Sequence, residues 1–266
     1  MLKRTSHPNG ITQISLAATW WGRPLMFCHA YLADGLLIDC GHPLGAREFA
    51  AWLKTAPVEQ AVLTHYHEDH AGNIPVLNSR GIVPFAHHAA LDWLHNPPRL
   101  LLYERVLWGQ SQPGKAAPVG DHILTSRHCF RVILTPGHTQ DHLVLLEERE
   151  GWLFAGDLYL GERLYYLRGE ERVGQMIASL DTVLAADFDL VFCAHRGLVR
   201  EGKRRLAKKR DFLVENRELA RDLFQQGKSE NEIARRLFGR EGWMTWVTAG
   251  DLSKNKLVRS LLSDQE

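Results

Sequence analysis

The sequence predicts an α/β protein: a mixed β-sheet with helices packed outside it, followed by a small helical subdomain. Three observations lead there. Short apolar runs of β type recur as far as Cys193, helical periodicities separate the later ones, and after Gly197 the β-type runs almost disappear. The boundary falls between a main domain over 1–199 and a helical subdomain over 200–266.

The first three runs, Ile11 to Leu16, Leu25 to Tyr31 and Leu36 to Asp39, follow one another closely, as in an antiparallel sheet. Ala61 to Thr64, Ile82 to Ala86, Phe130 to Leu134, Leu143 to Glu147, Trp152 to Ala155 and Leu190 to Cys193 are brief and apolar, which suits strands covered on both faces. Helices are expected over Leu44 to Lys54, Gly72 to Ser79, Ala89 to His95 and Val173 to Leu184. Pro97 to Pro118 is rich in Pro, Gly and polar residues and predicts a long connection with one helix near Arg99 to Trp108; such connections often cover active sites. In the tail, Ser229 and Glu232 form a capping-box pattern for a helix reaching Phe238, and Gly239 ends it. The stretch from Gly227 to Gly239 is loosely like the first helix of a helix-turn-helix. No clear recognition helix follows, so a bundle packed on the main domain and bordering the cleft is the expectation, with Trp243 and Trp246 as its anchors.

Composition bounds the function. With 45% hydrophobic and 24% charged residues, the chain is neither disordered nor collagen-like. Thirty-two Lys and Arg against 31 Asp and Glu leave +1, too little for a strong attraction to polyanions or membranes. The charge is uneven: the residues from Arg200 onward carry +5 and the remainder −4. Cys28, Cys40, Cys129 and Cys193 are scattered without a C-x-x-C pair and read as buried thiols in a reducing compartment, the cytoplasm. The N-terminal stretch lacks a signal-peptide pattern, and no run approaches the ~20 apolar residues of a membrane span.

The chemistry is concentrated in Thr64-His65-Tyr66-His67-Glu68-Asp69-His70, directly after the run Ala61-Val62-Leu63. Alternate residues of an extended chain face one way, so His65 and His67 can address one metal ion, while Asp69 and His70 fall on the turn into the next helix and can face a second. Such a cluster at the end of a buried strand is costly unless something charged satisfies it. Three further residues also end strands: His138 in Thr135-Pro136-Gly137-His138-Thr139, Asp157 in Ala155-Gly156-Asp157, and His195 after Leu190 to Cys193. Loops at one sheet edge can gather residues distant in sequence.

These segments, with Leu37-Ile38-Asp39-Cys40-Gly41, resemble the metallo-β-lactamase fold superfamily in order from Asp39 to His195. The resemblance implies an αββα sandwich with two metal positions at one edge: His65, His67 and His138 at one, Asp69, His70 and His195 at the other, and Asp157 bridging. It implies that Asp39 supports the site from behind the ligands; Thr139 and His142 are expected in similar supporting roles, with a substrate contact open for His142. His29 and His42 are expected to be structural, and His7, His87, His88, His95 and His128 surface or structural.

Two divalent ions can hold a hydroxide between them at neutral pH and polarise the attacked group. Zinc is expected, with iron or manganese as rivals. Asp69 and Asp157 are the catalytic candidates. The bridging Asp resembles glyoxalase II, lactonase and RNA-processing relatives more than true β-lactamases, which points to a small ester or thioester. No G-x-S-x-G elbow is present, and Gly227-Lys228-Ser229 lacks the earlier glycine of a phosphate loop, since Asp222 stands there. The alternatives are a single-stranded RNA nuclease using the +5 tail, a mononuclear-iron persulfide dioxygenase, and a DNA-binding regulator without enzymatic activity. Tyr159, Tyr165, Tyr166 and Arg168 are candidates for substrate contact, and Trp93 and Trp108 for the lid.

Overall fold

The computed structural model describes residues 1–7 and 10–263, apart from the Trp20 side chain. Strand neighbours in the first sheet follow sequence order: β1 (Leu2–Ser6), β2 (Thr12–Trp20), β3 (Arg23–Ala33), β4 (Leu36–Ile38), β5 (Gln60–Val62), β6 (Phe85–Ala86) and β7 (Ala117–Pro118). The first four pair antiparallel, and β4 to β7 pair parallel. Parallel strands need crossovers, and short helices supply them: α1 (Ala46–Leu53), α2 (Glu68–Ala71), α3 (Ile74–Asn78), α4 (Leu91–His95) and α5 (Leu102–Leu107). The second sheet contains β8 (His122–Leu124), β9 (Cys129–Leu134), β10 (Leu143–Glu147), β11 (Trp152–Gly156), β12 (Leu190–Cys193) and β13 (Gly197–Val199), in the spatial order β13-β12-β11-β10-β9-β8. The remaining helices are α6 (Val173–Leu184), α7 (Gly202–Gln225), α8 (Glu230–Phe238), α9 (Trp243–Val247) and α10 (Lys254–Leu262).

Three apolar layers show how these parts stack. Between the sheets, Tyr31, Ile38 and Val62 meet Phe130, Leu145, Phe154 and Phe192. Leu37, Leu63 and Phe49 belong to the layer beneath α1 and α3, and Val144, Leu153, Leu180, Leu213, Ile233 and Leu257 to the layer beneath α6, α7, α8 and α10. Strand β10 shows why its run is uninterrupted: Leu143 and Leu145 face the other sheet while Val144 and Leu146 face the helices. The result is an αββα sandwich with helical additions at the C-terminal end. Two sheets face each other, as the family resemblance implied, where periodicity alone suggested one mixed sheet.

The predicted strands at 130–134, 143–147, 152–155 and 190–193 appear where expected, and Ser229 and Glu232 form the capping box of α8. The run 82–86 shortens to Phe85–Ala86, since Pro84 has no N–H to offer a ladder. Strands β1, β7, β8 and β13 were not anticipated; all are short and lie near sheet edges, where little apolar alternation is required. Cys129 is exposed at the start of β9, so only Cys28, Cys40 and Cys193 are buried thiols. Trp243 and Trp246 are 69% and 83% exposed and do not anchor the tail. That anchoring falls to α7, α8 and α10, whose Leu206, Ile233, Phe238 and Leu261 enter the core.

Candidate metal centre

Strands β4, β5, β9, β11 and β12 all end at one rim, and the candidates stand just beyond their ends. Tight local backbone places two of them. Gly156 has φ +46°, and a Cβ there would lie 2.8 Å from His142 Nε2 and 2.9 Å from Thr64 Cβ, so only glycine lets the chain deliver Asp157. Gly137 has φ +134° and passes against the Met176 backbone, which turns His138 inward.

The seven side chains meet. His65 Nε2 lies 3.0 Å from His67 Nδ1, which lies 3.1 Å from His138 Nε2. Beside this trio, His195 Nε2 stands 3.1 Å from Asp69 Oδ2, and His70 Nε2 stands 3.3 Å from Asp157 Oδ1. Asp157 faces both groups, with Oδ2 3.4 Å from His138 Nε2 and Oδ1 3.4 Å from His195 Nε2. His65, His67 and His138 could hold one ion, and Asp69, His70 and His195 another.

The outer ring nitrogens decide the tautomers. His67 Nε2 donates to Glu170 Oε1 at 3.2 Å, His138 Nδ1 to Glu171 Oε1 at 2.8 Å, His70 Nδ1 to Asp39 Oδ2 at 2.8 Å, and His195 Nδ1 to the Phe27 carbonyl at 3.0 Å. His65 Nδ1 donates to Thr64 Oγ1 at 3.1 Å, which itself donates to Asp39. Neutral imidazoles with their protons on the outer nitrogens turn lone pairs toward one another across about 3 Å, an arrangement that calls for a cation. Two nitrogens bound to a tetrahedral zinc at about 2.0–2.1 Å stand roughly 3.3 Å apart, close to the observed spacing. His70 Nε2 and Asp157 Oδ1 are buried and lack hydrogen-bond partners, as ligand atoms would. The residues fit divalent metal ions.

Electrostatics agrees. Burial pushes the His65 and His142 imidazoles well below their ordinary range, with neighbouring imidazoles adding to the effect. Burial opposes ionisation of Asp69 and Asp157 too, yet both carboxylates are held below the usual range, Asp69 chiefly by His70 and Asp157 chiefly by His195. In return, and against the effect of burial, Asp39, Asp157 and Asp69 hold His70, and Asp157 and Asp69 hold His195, well above the ordinary imidazole range, so the second group balances its own charge in positions that bound cations would take over.

Asp39 accepts from the Thr64 backbone N–H at 2.8 Å and from His70, tying two segments of the site together. His142 lies behind the centre: Nδ1 meets Thr135 Oγ1 at 2.7 Å and Nε2 accepts the Asp157 backbone N–H at 3.0 Å, so it fixes the Asp157 backbone. The Thr139 hydroxyl, expected to support the site, has no hydrogen-bond partner; instead the Thr139 carbonyl accepts from Gly137 N and closes the turn. Arg168 is committed to Glu104 at 3.2 Å and Asp251 at 3.7 Å, Tyr159 is buried, and Trp93 stacks on Tyr66 at the rim. Trp108 is buried beside His195. His29 meets Gln13 and Ser15, whereas His42 is fully buried with both nitrogens unpartnered.

Glu170 and Glu171 escaped the sequence reading. The tail holds their segment from both sides, through paired backbone bonds between Leu167 and Ser253, each 3.1 Å, and through Ser260 Oγ accepting from Val173 N at 2.8 Å. Lys209 of α7, also buried, donates to the Leu158 carbonyl at 2.7 Å, next to Asp157. Two adjacent acidic residues before a predicted helix were the only local sign.

Fold and site define a protein with histidine-carboxylate metal sites at the rim of an αββα sandwich. The family model for the metallo-beta-lactamase superfamily matches residues 23–195, and the chain belongs to that superfamily. A thioesterase, pkgB, of Emericella nidulans is 30% identical over 131 residues, covering 47% of this chain and 33% of that protein. The lactamase-like protein nscB of Arthroderma gypseum is 27% identical over 225 residues, 77% of this chain and 65% of its own length. The matches thus span about one third to two thirds of these two relatives. Among solved structures, a metallo-beta-lactamase family protein from Thermus thermophilus superimposes with a TM-score of 0.66 at 21% identity, over 95% of this chain and 91% of its own. Among the described residues, no helix is long and apolar enough to cross a membrane.

Proposed function

We propose that the protein is a metal-dependent hydrolase of a small ester or thioester, with His65, His67 and His138 as ligands of one ion, Asp69, His70 and His195 as ligands of a second, and Asp157 between them. The carrying observation is the set of imidazole lone pairs facing one another across about 3 Å. When bound, divalent ions, zinc by preference and iron or manganese as alternatives, would lower the pKa of water from about 15.7 toward ~7 and polarise the attacked carbonyl.

The chain's own residues do the rest. Glu170, Glu171, Asp39 and the Phe27 carbonyl keep ring protons on the outer nitrogens. The Asp69 carboxylate would orient the attacking water and hold its proton, and Tyr66 and Trp93 wall the approach. Hydrolysis then breaks the acyl C–S or C–O bond, and the leaving thiol or alcohol takes the proton. A thioester is favoured within this class by the relative named a thioesterase. We also propose that residues 200–266 form a helical subdomain supporting the domain 1–199, and that the protein works in the cytoplasm. The RNA nuclease reading rests on the +5 tail, yet Lys203, Arg204, Arg205 and Arg259 are engaged by carboxylates.

Metal analysis of the purified protein and of His67→Ala tests the site: the variant is expected to lose most of one equivalent, and unchanged content would count against it. Turnover of simple thioesters and aryl esters by the metal-loaded protein tests the reaction; absence of turnover with all of them would overturn it.

A further inference from the structure

The loop between Leu167 and Val173 carries more than Glu170 and Glu171. Its Arg168 also joins the loop to α5 and to the turn before α10. Arg168 Nη1 lies 3.2 Å from Glu104 Oε1 of α5, and Nε lies 3.7 Å from Asp251 Oδ2. The Tyr103 ring centroid is 6.0 Å from the guanidinium, and the Tyr103 hydroxyl donates to the same Asp251 oxygen at 2.6 Å. From its backbone, Arg168 N donates at 2.7 Å to Glu171 Oε2, the carboxylate that holds His138. Two residues on from Arg168, Glu170 holds His67 through Oε1 and accepts from the Tyr66 hydroxyl at 2.8 Å through Oε2.

The surrounding charges explain why an arginine stands here. Glu104 is buried, Asp251 is half-buried, and Glu68, buried on α2 between the ligands His67 and Asp69, also acts on the guanidinium. Against the cost of burial, Tyr103 and all three carboxylates favour the charged arginine. Lys256 faces Asp251 Oδ1 at 3.5 Å from the tail side. Without the guanidinium the buried Glu104 carboxylate would lose its cation, and an uncompensated buried charge is costly enough to drive α5 away from the loop. Lysine is a poor substitute, because an ammonium is a point charge whereas the planar guanidinium meets two carboxylates through different nitrogens. α5 bears on the centre at its other end as well. Trp108, which follows it, is buried beside His195 with ring centroids 6.0 Å apart, and its carbonyl accepts from Leu44 N at 3.1 Å.

We propose that Arg168 is a positioning residue for the metal centre: it clamps α5 and the Asp251 turn onto the loop that carries Glu170 and Glu171, so that seating α5 and orienting His67 and His138 are one event. Arg168 acts through the two glutamates and not on substrate. The inference rests on the reading that His65, His67 and His138 hold an ion. Linkage gives it a consequence that a merely structural contact lacks: metal binding must protect α5, and removing the clamp must weaken both together.

The test uses the full chain with Arg168→Gln, Arg168→Lys, Glu104→Gln and the double variant Arg168→Gln/Glu104→Gln. Arg259→Gln, which breaks an exposed tail ion pair with Glu230, is the control. Zinc affinity, measured by chelator competition, should fall about tenfold in Arg168→Gln and in Glu104→Gln, with a loss of about threefold or more remaining in Arg168→Lys. The double variant should bind no more weakly than the weaker single one, since both break one clamp. In hydrogen exchange without metal, the amides of residues 102–108 should exchange about fivefold faster in Arg168→Gln. Zinc should slow them about fivefold in the wild type and less than about twofold in the variant. Unchanged zinc affinity in Arg168→Gln, additive losses in the double variant, or an equal loss in Arg259→Gln overturns the proposal. Arg168→Lys decides alone should the glutamine variants fail to fold: weaker zinc binding with faster exchange at 102–108 supports the clamp, and wild-type behaviour in both overturns it. If the wild type binds no zinc, the metal reading is what fails, and exchange in the metal-free protein decides the clamp: faster in Arg168→Gln keeps it, unchanged overturns it.

Discussion

Replacing Glu171 by Gln isolates the part that orienting groups play in metal binding. Both carboxylate oxygens of Glu171 accept from N–H donors, His138 Nδ1 at 2.8 Å and the Arg168 backbone at 2.7 Å. An amide of the same shape must turn its NH₂ toward one of these donors, so one buried contact becomes repulsive. Losing a charge-assisted hydrogen bond costs about 1.5–3 kcal/mol, and removing a partner that orients a ligand typically lowers metal affinity by about 10–100-fold. Chelator competition at neutral pH should therefore show zinc affinity falling by about that factor. Glu147 gives a matched control away from the centre: it is buried and accepts from His128 Nδ1 at 3.2 Å and from Glu150 N at 2.7 Å. Glu147→Gln should lower thermal stability and leave metal affinity alone. Unchanged affinity in Glu171→Gln, or an equal loss in both variants, would refute the idea that Glu171 acts by orienting His138.

Asp39→Asn should cost about 2 kcal/mol, lowering the melting temperature by roughly 4–8 °C in calorimetry. Asn keeps the left-handed backbone at φ +61° but cannot accept from Thr64 and His70 together as the carboxylate does, and an unchanged melting temperature would contradict this. Burial lowers the His42 pKa to about 4, whereas an unfolded histidine titrates near 6.5. Between those values the unfolded chain binds a proton that the folded one does not, so stability present above pH 6.5 is lost as pH falls toward 4. His42→Phe should shrink the fall in unfolding free energy between pH 7.5 and pH 5 by about 2 kcal/mol, measured by denaturant titration; the same fall in both proteins would refute it.

The seven converging side chains were legible because each belongs to a short local pattern, a polar residue placed just beyond an apolar run. The supporting place of Asp39 was legible through the family resemblance of Leu37-Ile38-Asp39-Cys40-Gly41. Glu170 and Glu171 were not: they reach His67 and His138 through a loop whose path depends on Ser253 and Ser260, more than 80 residues away. Trp243 and Trp246 misled because aromatic residues are usually covered, and nothing local says that α10, rather than α9, carries the apolar face that docks.

By itself, the sequence determined the α/β class, most strand positions and the residue types able to hold metal, since apolar periodicity and side-chain chemistry are properties of neighbours along the chain. The tertiary structure alone decided which carboxylates orient the imidazoles and which helices of the tail hold the loop that carries them. Those outcomes depend on contacts between distant segments, and such contacts leave no periodic mark in any one of them.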